Sequence, residues 1–191
     1  MKAIVRILPK LTVALLLLSA PAAAAPAAPD FIYAGAKDLP AGGHLLARDD
    51  IGGAQVVYSW KELEPAEDRY DFSAIERDLA QTAALGKELV IQIQDRFFQP
   101  EAKNIPAYLM TDPRYGGGLA PQTDTAGENQ PAGSGWVARQ WDPALRARYQ
   151  KLLAALAQKF DGRVYGVNLP ETAIDLDLKH PPMGFSCDAY F

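Results

Sequence analysis

The chain has 191 residues, 49% apolar and 22% charged, an ordinary globular balance that excludes disorder over most of its length. Nineteen Lys and Arg face 23 Asp and Glu. No basic run survives downstream of Lys10, so the clustered cations that would neutralise nucleic-acid phosphates are missing.

Lys2, Arg6 and Lys10 open the chain, an apolar stretch runs from Leu11 to Leu18, and small residues near Ala22 to Ala25 offer cleavage points. This is the pattern of a secretory signal peptide over residues 1–25. Its apolar core of about eight residues is far short of the roughly 20 that span a bilayer. No membrane association is therefore expected after cleavage, and the expected location is secreted or periplasmic. Cleavage removes three basic residues and no acidic one, leaving a mature net charge of −7. Residues 26–30 read as a Pro/Ala-rich tether, and residues 31–191 as one folded domain.

Strands alternating with helices follow. Phe31 to Ala34 is a first strand, with its crossover in Lys37 to Ile51. Ala54 to Trp60 is short, β-branched and apolar between Gly52-Gly53 and the charged Lys61 to Pro65, and predicts a second strand. Ser73 with Glu76 three residues on reads as a capping box, after which Ile75, Leu79 and Ala83 share one helix face until Gly86. Glu88 to Gln94 predicts a third strand so close behind that the unit must be a parallel βαβ. Asp142 as N-cap and Pro143 at the first helical position start a long helix with Leu145, Tyr149, Leu152, Leu156 and Phe160 on one face. It ends at Asp161-Gly162 and feeds a strand over Arg163 to Leu169. Between Phe97 and Trp141 the sequence reads as a long irregular insertion, with Gly116 to Gly118 as a flexible turn, and insertions of this length are usually functional.

In parallel α/β folds reactive side chains gather where strands end. The residues just past the predicted strands are Ser59, Trp60, Glu62 and Glu64, then Gln92, Gln94, Asp95 and Arg96, then Asn168, Glu171 and Asp175. Carboxylates, amides, an Arg and an aromatic at one rim suit a polyhydroxylated ligand, a sugar. The two histidines, His44 and His180, are too few and too far apart for a zinc site or a Ser-His-Asp triad, so no metal or cofactor is expected. Cys187, the single cysteine, cannot form an intrachain disulfide and reads as a small buried hydrophobe.

Trp60-Lys61-Glu62-Leu63-Glu64-Pro65, Arg69-Tyr70-Asp71-Phe72 and Ile75 together resemble the pattern after the second strand of clan-A glycoside hydrolases, which are (β/α)8 barrels. The resemblance covers roughly residues 54–175. It implies an α/β fold of parallel βα units forming the first half of a TIM (β/α)8 barrel. It also implies hydrolysis of glycosidic bonds, with Glu171 as the acid/base. Two departures stand out. In the clan an Asn and the acid/base Glu are adjacent, whereas Leu169 and Pro170 separate Asn168 from Glu171; and the clan's second Glu, at the seventh strand, has no counterpart. A closed barrel takes about 250 residues, and the roughly 165 mature residues here lead to the expectation of a truncated, impaired or inactive hydrolase.

Each site candidate has a structural alternative. Glu171 is a proton donor or a charge at a helix N-terminus over Thr172 to Leu176. Glu62 and Glu64 bind sugar hydroxyls or lie in a solvated loop, and Asp95 with Arg96 binds ligand or braces the rim. Trp60 stacks on a ring or belongs to the core, while Trp136 and Trp141, at the end of a Gly/Pro loop, are the better stacking platforms. The remaining substrate-binding candidates are Gln94 and Asn168. The expected partner is a carbohydrate, with no nucleic acid, and an unpaired sheet edge invites self-association. The alternative function is a non-catalytic carbohydrate-binding protein of the cell envelope, and a third class is an envelope protein with no ligand.

Overall fold

The computed structural model describes residues 29–123, 134–170 and 174–190. The proposed signal peptide and Glu171 lie outside the described residues. Four strands, β1 (Asp30–Gly35), β2 (Ile51–Ser59), β3 (Glu88–Gln94) and β7 (Gly166–Asn168), form one wholly parallel sheet in the order β1-β2-β3-β7. Tyr33 sits beside Gln55, Gln55 beside Val90, and Val90 beside Gly166. Among the described residues the sheet does not close into a barrel.

Alternation within β2 and β3 explains the shape. Ala54, Val56, Tyr58, Leu89, Ile91 and Ile93 are buried, while Gln55, Val57, Ser59, Gln92 and Gln94 between them are not. A parallel sheet covered by helices on both faces would be apolar throughout. Here one face takes the helices and the other mixes Gln55, Ser59, Gln92 and Gln94 with Val57 and Val90. The outer layer is α3 (Ser73–Ala84) and α5 (Pro143–Phe160), whose Ile75, Leu145, Tyr149, Leu152, Leu156 and Phe160 join the strands in one core. Residues 37–50 form turns and the single-turn α1 (Gly43–Leu46) rather than a full crossover helix.

Helix starts follow sequence chemistry in one case and depart from it in the other. Asp142 caps α5, its Oδ1 accepting from the N–H groups of Ala144 and Leu145 at 2.9 and 3.1 Å, with Pro143 in the first turn. The expected Ser73–Glu76 box is not formed: Asp71 Oδ1 accepts from the Ser73 N–H at 3.0 Å, and Glu76 is drawn to Lys159 at 2.9 Å instead. The buried face of α3 is Ile75, Asp78 and Thr82. Asp78, fully buried, accepts from the Tyr58 hydroxyl at 2.9 Å and from Arg77 Nε at 3.0 Å. Burial, then the Asp78 charge, pushes the Tyr58 phenol well above its usual range.

The described residues of the segment after β3 form regular elements rather than an irregular loop. β4 (Arg96–Phe97), α4 (Ala107–Thr111), a 3-10 turn at Pro113–Tyr115, β5 (Leu119–Thr123) and β6 (Ser134–Ala138) follow one another, and the strands form an antiparallel sheet in the order β4-β6-β5. Pro121 is tolerated because β5 is an edge strand. Gly118, at φ +72, is required: a Cβ there would lie 2.6 Å from the Leu109 carbonyl oxygen.

Beyond β7 the chain returns over this second sheet. Residues 174–176 are not helical, contrary to the expected helix start, and a single turn, α6 (Cys187–Tyr190), lies near the end. Ile174, Leu176, Phe185 and Ala189 pack on Ala120, Val137 and Trp141. Cys187 is exposed on α6 rather than buried.

Candidate functional site

The carboxyl ends of β1, β2, β3 and β7 share one rim, and the second sheet stands over it because β4 begins one residue after β3 ends. Below the rim the helix-free face carries a chain of amides. Asn168 Nδ2 donates to Gln55 Oε1 at 2.9 Å, and Gln55 Nε2 donates to Gln92 Oε1 at 2.5 Å. Asn168 of β7 thereby reaches β2 across the intervening strand, as the curl of the sheet allows. Lower still, Phe31 of β1 meets Tyr165, just before β7, with ring centroids 5.0 Å apart. Gln94, one step higher than Gln92 on β3, has no side-chain partner among the described residues and faces open space.

Two clefts adjoin at the rim. One of about 450 Å³ is lined by Tyr33, Lys37, Asp38, Ser59, Glu62, Gln94, Phe97 and Asn104. The second, about 230 Å³, lies against Gln92, Arg96, Phe98 and Pro170 as well as Tyr33, Gln94 and Phe97. Glu62 is presented here by the single-turn α2 (Trp60–Leu63). It accepts from the Ser59 hydroxyl at 2.7 Å, with Lys37 Nζ 4.0 Å away. That leaves an exposed carboxylate beside hydroxyl, ammonium, carboxamide and aromatic groups, a set that pairs with vicinal hydroxyls and stacks on a ring face.

The structure separates residues that looked alike in sequence. Glu64, two positions after Glu62, is fully buried. Its carboxylate accepts from Trp60 Nε1 at 2.9 Å, the Tyr108 hydroxyl at 3.0 Å, the Asp68 N–H at 3.1 Å and the guanidinium of Arg148. Arg148 also bonds Asp68 at 2.8 Å. Burial opposes the Arg148 charge, but hydrogen bonds to Asp68, Tyr108 and Glu64 outweigh it and raise its pKa. Burial, reinforced by the Glu64 charge, likewise lifts the Tyr108 phenol above its ordinary value. The cluster ties the loop after β2 to α5 and so fixes the base on which Glu62 stands.

Three other candidates are structural rather than ligand-facing. Trp60 is fully buried, edge-on to Tyr149 with ring centroids 5.0 Å apart, so it cannot serve as a stacking platform. Asp95 is also fully buried, its two oxygens accepting from Arg96 Nε and Gln140 Nε2, each at 2.9 Å; it braces Arg96 at the rim. Trp141 is buried under residues 183–185, its Nε1 donating to the Met183 carbonyl at 3.3 Å and its ring edge-on to Phe185. Trp136 is half-buried on β6; its Nε1 donates to the Pro100 carbonyl at 2.7 Å and Lys103 covers its ring at 5.2 Å. Of the named set, Glu62 and Gln94 meet at one cleft, and Asn168 lies on the helix-free face of the sheet. Tyr33, Gln55, Phe97 and Asn104 were not singled out in sequence. The alternation of β2 carries the signal for Gln55; for Tyr33 and Phe97 nothing local does.

With this geometry in hand, comparison with solved structures is informative. The catalytic domain of β-amylase from Paenibacillus polymyxa superposes with a TM-score of 0.52 at 14% identity, over 74% of this chain and 37% of that one. The two share a fold over this region. A GH5 glycoside hydrolase variant from Bifidobacterium longum subsp. longum, in complex with Manβ1-4GlcNAc, gives a TM-score of 0.47 at 11% identity, over 74% of this chain and 32% of that one. This chain therefore spans little more than a third of the length of the β-amylase domain. No family model and no curated protein matches the sequence. The four-stranded parallel sheet corresponds to part of a (β/α)8 barrel.

Proposed function

We propose that this chain binds carbohydrate at the rim of its parallel sheet, as an exported glycoside hydrolase-like protein. The observation that carries the reading is the cleft in which the exposed carboxylate of Glu62, the carboxamide of Gln94 and the rings of Tyr33 and Phe97 converge. Acceptors and donors suit hydroxyls, and flat rings suit the apolar face of a pyranose. Export rests on the basic, apolar and small-residue succession of residues 1–25. N-terminal sequencing of exported material should find those residues gone, and an intact Met1 would overturn this part.

The chemistry that fits the rim is hydrolysis of a glycosidic bond. In sequence Glu171 follows Asn168, the last residue of the fourth parallel strand, by three positions, and such folds carry reacting groups in the segments that follow their strands. As general acid it would protonate the leaving oxygen. A second carboxyl about 5 to 9.5 Å away would attack the sugar or activate water. Glu62 and Asp38 are exposed carboxylates at this cleft, but they follow the second and first strands, on the same side as the fourth. Binding is therefore the stronger function of this chain taken alone. Calorimetry against an oligosaccharide panel tests binding. Release of aryl alcohol from an activated aryl glycoside, lost in Glu171→Gln with binding retained, tests the chemistry; binding without any turnover leaves the non-catalytic carbohydrate-binding reading.

A further inference from the structure

The two rim clefts are not independent. Both are walled by Tyr33, Gln94 and Phe97, so they adjoin along two aromatic rings and a carboxamide that has no side-chain partner among the described residues. Tyr33 is 67% exposed and Phe97 37%, so both rings present open faces to the groove. Neither exposure follows from poor local packing. Tyr33 sits in the middle of β1 in register with Gln55, and Phe97 is paired with Trp136 in the antiparallel sheet. The rings are thus presented by two different sheets. Polar groups line both clefts, Ser59, Glu62 and Asn104 in the larger cleft and Gln92 and Arg96 in the smaller.

Resting on the carbohydrate reading above, we propose that the ligand is an oligosaccharide occupying both clefts. Consecutive sugar rings would lie against Tyr33 and Phe97, and Gln94 would bond hydroxyls on both sides of the linkage between them. A monosaccharide would fill one cleft and forgo one ring contact.

The test is the affinity of the full chain for gluco- and manno-oligosaccharides, α- and β-linked, from monosaccharide to tetrasaccharide, measured by calorimetry. Affinity should tighten about tenfold or more between one ring and two or three, where about 1.4 kcal/mol is tenfold, and then level off. Tyr33→Ala and Phe97→Ala should each weaken trisaccharide binding more than monosaccharide binding, cutting the roughly tenfold ratio between the two affinities to within about twofold. Tyr33 is mostly exposed, so its variant keeps the fold, which circular dichroism verifies. Equal affinity for all lengths, or variants that weaken every length alike, would overturn the two-ring groove while leaving carbohydrate binding intact. No affinity for any saccharide would instead overturn the reading beneath it.

Discussion

Arg148→Met is the most searching perturbation of the scaffold under the rim, because it leaves a fully buried carboxylate without its cation. Glu64 has no exposed surface and receives four donors: Arg148, Tyr108, Trp60 and the Asp68 N–H. Breaking one side of a buried pair costs about 3–5 kcal/mol. Three donors survive in the variant, which places the loss toward about 3 kcal/mol; the exposed pairing of Arg148 with Asp68 adds about 0–1 kcal/mol. In a domain of this size each kcal/mol moves the melting temperature by roughly 2–4 °C, so a drop of about 6–15 °C is expected. Urea denaturation followed by tryptophan fluorescence reports it directly, Trp60 being itself a donor to Glu64. The double variant Glu64→Gln/Arg148→Met should be less destabilised than the sum of its singles by about 1–3 kcal/mol. An Arg148→Met loss below about 1 kcal/mol, or additive singles, would refute the argument that this pair anchors the loop carrying Glu62.

Tyr149→Phe should be neutral or stabilising, by up to about 1–3 kcal/mol in urea melts, because the buried Tyr149 hydroxyl has no hydrogen-bond partner among the described residues; a clear loss of stability would show a partner. Hydrogen bonds from Arg114 to Glu67 and Asp112, and from Arg148 to Asp68, hold these carboxyls below their ordinary pKa. The unfolded chain therefore binds more protons as pH falls through this range. The stability these groups contribute is complete above a carboxylate's usual pKa of about 4 and is lost below it. Urea midpoints should fall as pH drops from about 5 toward 2, more shallowly in Arg114→Gln, and an unchanged slope would exclude these pairs. At the edge strand β7, Val167 and Leu169 are exposed and a groove lined by Leu156, Phe160, Val164 and Val167 runs beside the strand. Light scattering should detect concentration-dependent self-association, reversed by Val167→Lys; a monomer at all concentrations would contradict it.

The parallel sheet was legible because β2, β3, α3 and α5 each carry a pattern set by their own neighbours: β-branched runs between glycines, and an Asp-Pro helix start. The antiparallel sheet was not. β4 has two residues, and β5 contains Pro121, so neither propensity nor length marks them. Glu62 and Glu64 show how far pattern reaches at the site. Both sit in one charged run, and what parts them is Arg148, 84 residues from Glu64. Trp141 looked like a loop aromatic until residues 183–185 returned to cover it. Tyr33 and Phe97 owe their exposure to two sheets meeting at the rim, a long-range arrangement that no window of sequence contains.

Whether the rim holds sugar is answered most directly by calorimetry of the folded chain against the oligosaccharide panel, run alongside Gln94→Ala. Gln94 has no side-chain partner among the described residues, so its variant should keep wild-type stability. Saccharide binding that weakens about tenfold in that variant is the predicted result. A folded wild-type chain that binds no saccharide, or one whose binding is indifferent to Gln94, would contradict the assignment of the site.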